Sequence, residues 1–532
     1  MPSRPPKTGC NAIYSGLCRS TMALKKKARK LPQLEWTGKN QLSRSLLVAL
    51  SLMLLLGPSL LLPAGAKTSA HSAPARIATL STAAADPISA QDLDDAVKIL
   101  SDYIKIDTTN PPGNEKLGAR YLADILEKNG IEASVIDVPD TRANNRAFVI
   151  GRLKGSGAKK AVILLNHIDV VPARAADWKY PPFGGEVHDG ELWGRGAMDM
   201  KGMGIMELAA MLALKRNGVK LDRDVIFLAT PDEEIGGTYG ARWIVEHKKD
   251  LIADAEYLIN EGYPIDAAPG GKAKHWGVDV AEKSILWLSL TAKGVAGHAS
   301  MPLKDSANNR LIAALARLAA SPPKMTLQPA VKTFFRSIAA NESSPLKELY
   351  ANIEESVKDK KNEAALHKDL MKFSMLGNTV SITVLKAGYK TNVIPAESYA
   401  ELDCRLLPGV TPEQFSAEIK TIIDDPSIEV KTIEWEKSDP SPFDSAMVHA
   451  IERANAQESA APVVPVVPVL VPWFTDSHWF REIGINSYGF EPVECDPEHT
   501  ATMHGKDERI PVASFKQGIV RMYRILSNLS QM

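Results

Sequence analysis

The feature that most constrains this chain is an apolar run over residues 161–165, followed at once by the sequence Asn166-His167-Ile168-Asp169. A short run of this kind is typical of a strand buried in a parallel sheet, and Pro172 prevents the strand from continuing far. Because residues two apart in a strand point the same way, His167 and Asp169 should lie side by side past its end. Open α/β sheets bind their ligands at that edge, and an imidazole backed by a carboxylate is the usual pair at a metal site.

Strands and helices alternate over residues 91–283. The predicted strands are 133–138, 147–153, 161–165, 225–230 and 257–259. Helical periodicity covers 91–106, with Ser89 as the candidate N-cap, and a further helix begins in the glycine-rich turn 194–202. This alternation predicts an α/β fold with a doubly wound, mostly parallel sheet.

The pattern changes after residue 283. Residues 284–292 alternate apolar and polar side chains, as a half-exposed antiparallel strand does. Strands at 379–386, 398–406 and 428–436 and helices at 308–319 and 412–423 complete a β-α-β-β-α-β order, with a charged helical stretch at 345–373. That order is the ferredoxin-like motif. We therefore predict a domain at 284–438 inserted into a catalytic domain formed by 91–283 and 439–532.

The first 66 residues have the features of a secretory signal. A basic segment precedes an apolar run at 46–62, which ends in small residues before Lys67. The alternative is a retained membrane anchor, and Met22 is an alternative start. Residues 67–90, rich in Ala and Ser, are predicted to be a flexible linker. The chain is thus expected to be periplasmic or secreted.

Composition excludes several classes of protein. Lys plus Arg and Asp plus Glu number 63 each, so the net charge of zero gives no reason to expect a nucleic-acid partner. Of the four cysteines, Cys10 and Cys18 lie in the leader and only Cys404 and Cys495 in the body, with no Cys-x-x-Cys pair, which excludes a disulfide framework and a thiolate zinc site. Whether Cys404 and Cys495 pair is open at this stage.

A series of acidic and histidine side chains follows predicted strands or lies in glycine-bounded turns. Its members are His167, Asp199, Glu233, Glu234, Glu261 and His504. Nitrogen and oxygen donors without thiolates suit zinc, with cobalt or manganese also compatible. Five candidate ligands exceed the needs of one tetrahedral ion, whereas two ions about 3.5–4 Å apart and sharing a carboxylate would use them all. Asp199 is the natural bridge.

These motifs resemble those of a known family. The sequences His-x-Asp-Val-Val, Gly-Arg-Gly-x-x-Asp-Met-Lys-Gly, Asp-Glu-Glu-Ile-Gly-Gly, Asn-Glu-Gly and a late Met-His-Gly are similar, in order, to those of co-catalytic dizinc metallopeptidases. The family is that of aminoacylase, carboxypeptidase S and succinyl-diaminopimelate desuccinylase. The resemblance runs from about residue 95 to 530 and implies a catalytic domain carrying an inserted lid and dimerisation domain.

The resemblance also implies roles for individual residues. It places His167, Asp199 and Glu261 around one zinc, and Asp199, Glu234 and His504 around the other. It makes Glu233 the general base and lets Asp169 orient His167. His298, in Gly-His-Ala-Ser, would stabilise the developing oxyanion, commonly across a dimer, and Asn392 and Arg405 would hold a substrate carboxylate.

One motif departs from the family pattern. Aminoacylase-type members usually have an arginine after Thr-Asp-Ser, where this chain has His478. That change puts one carboxylate contact in doubt, with Arg481 or His478 itself as replacements.

The sequence therefore predicts a secreted dizinc hydrolase that cleaves an amide next to a free carboxylate, in a small peptide or an N-acyl amino acid. A non-catalytic binding protein on the same fold is the alternative. The stretch 284–292 also bears on assembly. As an edge strand it would expose Ile285 and Trp287, which a two-fold partner would cover. This favours a homodimer over a monomer in which the charged stretch 345–373 covers the same surface.

Overall fold

The structure of the chain, a computed structural model, describes residues 87–139, 145–268, 272–458 and 463–532. The predicted signal segment 1–66 and most of the predicted linker 67–90 lie outside the described residues. Within the described part, no helix is both long enough and apolar enough to cross a bilayer.

The strands are β1 (Ala133–Asp137), β2 (Ala147–Leu153), β3 (Ala161–His167), β4 (Glu186–His188), β5 (Glu191–Trp193), β6 (Val225–Thr230), β7 (Ala255–Ala268), β8 (Lys272–Glu282), β9 (Ser284–Lys293), β10 (Gly297–His298), β11 (Thr379–Ala387), β12 (Val393–Ile394), β13 (Glu397–Leu406), β14 (Glu429–Glu436), β15 (Val466–Val471), β16 (Asn486–Cys495) and β17 (Arg509–Pro511). The helices are α1 (Ala90–Ile104), α2 (Glu115–Lys128), α3 (Lys201–Arg216), α4 (Ala241–His247), α5 (Ala307–Ala320), α6 (Pro329–Ile338), α7 (Leu346–Ala351), α8 (Ile353–Ser356), α9 (Glu363–Leu366), α10 (Leu370–Ser374), α11 (Pro412–Ile423), α12 (Ala446–Ala456), α13 (Ser477–Glu482), α14 (Pro497–Thr500) and α15 (Val512–Leu529).

The central sheet has eight strands in the order β1-β2-β6-β3-β7-β16-β8-β15. β3 pairs in parallel with β6 and β7, and every residue of β3 is buried. Val162 and Leu164 join the core on one face and Ile163 and Leu165 the core on the other, because side chains alternate along a strand. Helices α1, α3, α12 and α15 contribute to the first core, and α4 and α13 to the second. The predicted α/β, doubly wound, mostly parallel sheet is confirmed.

Two local predictions can be compared directly with this sheet. Helix α1 begins where expected, and the hydroxyl of Ser89 accepts a hydrogen bond from the backbone N–H of Asp92 at 3.2 Å. The strand predicted at 257–259 is far longer, since β7 continues to Ala268 and turns antiparallel onto β8. The sequence pattern did not predict β8, β15 or β16.

The smaller sheet, here called the lid sheet, has the order β11-β13-β9-β14 and is antiparallel. Helices α5 and α11 pack on one face against Leu286, Leu288 and Leu290. Strand β9 is therefore an inner strand and not an edge, which removes the edge-strand argument for a dimer. Ile285 and Trp287 face the opposite side of the sheet from the helices, because they alternate with the leucines.

The charged stretch between the lid strands forms four short helices, α7–α10, preceded by α6. Apolar residues of α6 and of this stretch, including Phe334, Tyr350 and Phe373, belong to the core of the catalytic sheet. Helix α6 packs on β15 at the edge of that sheet. The charged stretch therefore packs with the catalytic domain and does not cover Ile285 and Trp287 on the lid sheet, as the monomer alternative requires. Cys404 and Cys495 are both buried as free thiols.

Candidate metal centre

The acidic and histidine side chains named from the sequence meet at one edge of the central sheet. His167 ends β3, Glu261 lies within β7 beside it, and Glu233 and Glu234 form a 3-10 turn just after β6. Asp199 precedes α3, and His504 follows α14 with a left-handed backbone at φ 56°. Parallel strands place their carboxyl ends together, so three of these segments meet for a topological reason.

Asp199 lies between the two imidazoles. Its Oδ1 is 3.0 Å from Nε2 of His167, and its Oδ2 is 2.9 Å from Nε2 of His504. The same nitrogen of His504 is 3.1 Å from Glu234, and Nε2 of His167 is 3.8 Å from Glu261. The position of Asp199 is the one expected of a bridging carboxylate.

The potential ligand atoms form two groups, and within each group all atoms lie within 4.8 Å of one another. One group is His167, Asp199 and Glu234, and the other is His167, Glu233 and Glu261. The structure thus brings together all five predicted ligands and the predicted base. It does not separate them into the two sets that the family resemblance implies, since Glu233 stands among the ligand atoms.

The electrostatics of the cluster fit bound cations. Burial raises the pKa of Glu233 well above its ordinary value, and the charge of Glu261 adds to the effect. Burial also raises the pKa of Glu234 to about 7, although a hydrogen bond from His504 opposes it. Hydrogen bonds to Asp199 and Glu234 raise the pKa of His504 to about 10. Carboxylates gathered this closely need compensating positive charge, which two divalent ions would supply.

Two further observations fit metal ligation. Oε1 of Glu234 is buried and has no hydrogen-bond partner among the described residues. Nδ1 of His167 lies 2.9 Å from the backbone oxygen of Asp169, so this nitrogen donates and a neutral ring keeps its Nε2 lone pair for a metal. Two imidazoles and several carboxylates, with no thiolate, suit zinc and related ions.

The carboxylate of Asp169 has a different set of partners from the one expected. Its nearer oxygen is 3.7 Å from Nδ1 of His167, which is held instead by the backbone carbonyl. The two carboxylate oxygens accept the backbone N–H groups of Glu233 and Glu234, each at 3.2 Å, and the amide of Asn110 at 2.8 Å. Asp169 therefore positions the turn that carries the predicted base.

Two supporting groups were not identified from the sequence. Arg146 is buried and pairs with Glu115 at 2.7 Å and Asp232 at 2.8 Å, behind that turn. Glu508 accepts backbone N–H bonds from Gly196, Met198 and Asp199 as well as one from Arg195. Glu508 and Asp199 are 309 residues apart, so no spacing in the sequence could have linked them.

Two cavities meet at the cluster, and both are lined by Glu233, Glu234 and His504. The larger, about 630 Å³, extends to the open face of the lid sheet and is called here the lid cavity. Its further lining residues are Ile235, Gly236, Thr238, Ile285, Trp287, Arg405, Glu434, Glu436, Trp473, Phe474, Thr475, Asp476, His478 and Trp479. The smaller, about 360 Å³, is called here the methionine cavity. Its further lining residues are Met198, Asp199, Met200, Met203, Glu261, Gly262, Pro264, Trp473, Phe474, Thr475, Glu491, Thr500 and Met503.

Comparison with known proteins identifies the chain's relatives. The family model described as peptidase family M20/M25/M40 matches residues 163–528. The chain belongs to this family. It is therefore a hydrolase that acts on amide bonds, and the chemistry of its family depends on metal.

Two relatives and one solved structure show the extent of the similarity. The chain is 29% identical over 383 residues to a probable carboxypeptidase S-like 2 of Dictyostelium discoideum, covering 69% of this chain and 72% of that protein. It is 30% identical over 353 residues to the N-fatty-acyl-amino acid synthase/hydrolase PM20D1 of Xenopus tropicalis, covering 65% of this chain and 68% of that protein. Its fold matches the M20 family metallo-carboxypeptidase Sso-CP2 from Sulfolobus solfataricus with a TM-score of 0.61 at 19% identity, over 84% of this chain and 100% of that one.

The three remaining predicted residues of this M20-family chain lie on the lid. Arg405 lines the lid cavity and is the one Arg or Lys among the described lining residues of either cavity, but Asp403 holds it at 2.8 and 3.1 Å. His298 and Asn392 are exposed neighbours on the β10–β12 pair, where Ala299 N–H donates to the Asn392 carbonyl at 3.2 Å. Neither belongs to the described lining of the two cavities.

The departure at His478 has a clear structural consequence. His478 is buried, and its Nδ1 lies 2.6 Å from the carbonyl oxygen of Thr475, so that nitrogen donates. Burial lowers the pKa of His478 well below its usual value, so the ring is neutral. Arg481 is turned into the core, where it pairs with Glu282 at 3.1 Å and bonds the carbonyl of Ser487. Arg481 therefore does not replace the arginine that the motif lacks.

Proposed function

We propose that the chain is a dinuclear-metal hydrolase that cleaves an amide bond next to a free carboxylate, in a small peptide or an N-acyl amino acid. The observation that carries the proposal is the position of Glu233, which lies among the ligand atoms where the two cavities meet. Two cavities that share lining residues at the cluster provide room for the two halves of a scissile amide. The names of the two relatives, a probable carboxypeptidase S-like protein and an N-fatty-acyl-amino acid synthase/hydrolase, support the same class of substrate.

We assign the ligands as the family resemblance implies, because the observed grouping of ligand atoms does not by itself divide them between two ions. His167, Asp199 and Glu261 would hold one ion, and Asp199, Glu234 and His504 the other, with Asp199 shared. The donor set favours zinc, and cobalt or manganese are also compatible. The chemistry supplied by two such ions is activation of a water and polarisation of the scissile carbonyl.

The protein's own groups supply the proton transfers and the orientation. Glu233 takes a proton from the attacking water and returns it to the leaving amine. Asp169 holds the backbone N–H groups of Glu233 and Glu234, which keeps the base at a fixed distance from the ligands. Arg405 is the cation available for the substrate carboxylate, provided that the substrate displaces Asp403 from it.

We also propose a homodimer through the lid. His298 is exposed on the lid and outside both cavities of its own chain, so a second copy is a direct way to bring it to the reacting carbonyl. Asn392 lies beside it and would arrive at the same site. The enzyme is proposed to be exported by the 1–66 segment. N-terminal sequencing of the protein from the periplasm or medium tests this, and a chain beginning at Met1 or Met22 in the cell would contradict it.

The central experiment removes the base and keeps the ligands. Glu233→Gln should abolish turnover while metal content stays near two ions per chain. Glu413→Gln, at an exposed position of α11, should leave both unchanged. Rates are measured on a panel of N-acyl amino acids and dipeptides with zinc, cobalt or manganese supplied. Retained turnover in Glu233→Gln would remove Glu233 from the role of base. A complete absence of hydrolysis over the panel would favour the binding-protein alternative.

A further inference from the structure

The methionine cavity has an unusual composition. Four flexible thioether side chains line it, from Met198, Met200, Met203 and Met503, together with Pro264. Methionine adapts its shape to different apolar groups, so a wall of this kind suits a linear aliphatic segment. This wall begins at Asp199 and the other ligands, so a substrate group entering the cavity is attached close to the reacting bond.

One charged residue interrupts the apolar wall. Outside the metal-ligand cluster, Glu491 is the single charged side chain among the described residues that line the cavity. It belongs to β16 and is 3% exposed. Its Oε1 is buried without a hydrogen-bond partner in the described part of the chain. Buried carboxyl groups are normally paired or hydrogen-bonded, because leaving one unsatisfied is costly.

The charged groups that act on Glu491 in the described part of the chain are themselves acids. Burial raises its pKa well above the ordinary value, and the acids Asp199 and Glu261 raise it further. Arg521 of α15, which reaches this strand, is engaged by its neighbours: it bonds Glu494 at 2.6 Å and the carbonyl of Pro492 at 3.1 Å. The carboxyl of Glu491 is thus available to a positively charged group that comes from outside.

We propose that Glu491 and the methionine wall form a specificity pocket for a cation carried on an aliphatic stem. The stem packs on the methionines, and a primary ammonium or guanidinium at its end pairs with Glu491. The expected substrates are therefore amides in which the side chain next to the scissile bond is that of lysine, ornithine or arginine. This inference rests on the proposed hydrolytic function and narrows its substrate class.

The test compares substrates that differ only in the charge. N-acetyl-L-lysine and N-acetyl-L-norleucine, and dipeptides carrying either residue at the first or the second position, are assayed for kcat/KM. The wild-type enzyme should favour lysine in one of these series by about 10- to 100-fold, the usual value of a hydrogen bond to a charged group. N-acetyl-L-arginine and N-acetyl-L-ornithine then distinguish guanidinium from ammonium as the preferred cation.

The decisive variant is Glu491→Gln. It should remove the lysine preference by lowering kcat/KM for lysine while leaving norleucine within about twofold, with metal content unchanged. Glu491→Met, which completes the apolar wall, should invert the preference and serves if the glutamine variant folds poorly. Glu413→Gln is again the control, since this exposed acid lies outside both cavities.

Failure of the inference can be separated from failure of the proposed function. Hydrolysis without a lysine preference in the wild type would overturn the pocket assignment. So would an equal loss on lysine and norleucine substrates in Glu491→Gln, because Glu491 would then act through the metal ligands. If no amide is hydrolysed, calorimetry measures the affinities of the metal-loaded protein for L-lysine and L-norleucine, in the wild type and in Glu491→Gln. Equal affinities for the two amino acids, or a preference for lysine that survives in Glu491→Gln, would overturn the inference.

Discussion

The carboxylate of Glu508 determines the shape of the turn that holds Asp199, and its replacement should be costly. Oε1 accepts the N–H groups of Met198 at 2.9 Å and Asp199 at 3.0 Å, while Oε2 accepts from Arg195 at 2.6 Å and Gly196 at 3.0 Å. Glu508→Gln preserves the shape of the side chain but leaves only one oxygen to accept hydrogen bonds. Whichever way the amide turns, its NH₂ group faces two of the four N–H donors and cannot accept from them.

The magnitude follows from burial. Arg195 is 2% exposed and Glu508 is fully buried, so the substitution leaves a buried guanidinium without its counter-charge. Breaking one partner out of such a pair typically costs about 3–5 kcal/mol. We expect a loss of that size in the free energy of unfolding, measured by urea denaturation of the metal-free protein. We also expect weaker binding of metal, since Asp199 is displaced.

Two comparisons make the result interpretable. Glu498→Gln removes one of the two acids that pair with Arg509, and this acid is 76% exposed, so the change should cost no more than about 1 kcal/mol. Adding Arg195→Met to Glu508→Gln should restore part of the stability, because the uncompensated charge is gone. A loss below about 1 kcal/mol in Glu508→Gln, with normal metal affinity, would refute the assignment of Glu508 as the support of the bridging turn.

Three further predictions concern metal, assembly and pH. Metal binding at pH 7–8 should release protons, and the apparent metal affinity should rise with pH, because neighbouring carboxylates raise the pKa of His504 to about 10. Calorimetry in buffers of different ionisation enthalpy measures the proton release. If no protons are released, the electrostatics described for the cluster are wrong. Inactive Glu233→Ala and His298→Ala chains should regain activity when mixed if the lid dimer shares His298, whereas a sole monomer peak in light scattering at micromolar concentration would exclude sharing. His478 stays neutral in the folded chain, so below about pH 6.5 only the unfolded state binds its proton, and the free energy of unfolding falls by up to about 1.4 kcal/mol per pH unit. In His478→Gln, the free energy of unfolding measured with urea should fall less steeply as the pH is lowered. An unchanged pH dependence would disprove this contribution.

The periodicity of the chain predicted the elements that position the site. The all-apolar run before His167 indicated a strand buried on both faces, and β3 is buried throughout. Ser89 caps α1 as its residue type and position suggested. These predictions succeed because strand burial and helix capping depend on residues within a few positions of each other.

Sequence patterns were less informative where a strand's neighbours decide its environment. The alternation at 284–292 predicts an exposed edge strand, whereas β9 lies between β13 and β14 in the lid sheet. Ile285 and Trp287 line the lid cavity, so their apolar surface faces the site. Strand order in a sheet is set by long-range pairing, and alternation along one strand carries no information about it.

The sequence by itself determined which residues stand at the strand ends and that they are acids and histidines suited to a metal. Only the tertiary structure decided that the carboxylate of Asp169 holds the Glu233 turn and that Glu508 holds Asp199. It alone also decided that one buried oxygen of Glu491 lies in an apolar wall without a hydrogen-bond partner among the described residues. The physical reason is that a local pattern depends on neighbours in the chain, whereas the partner of a buried charge depends on which distant segments the fold brings together.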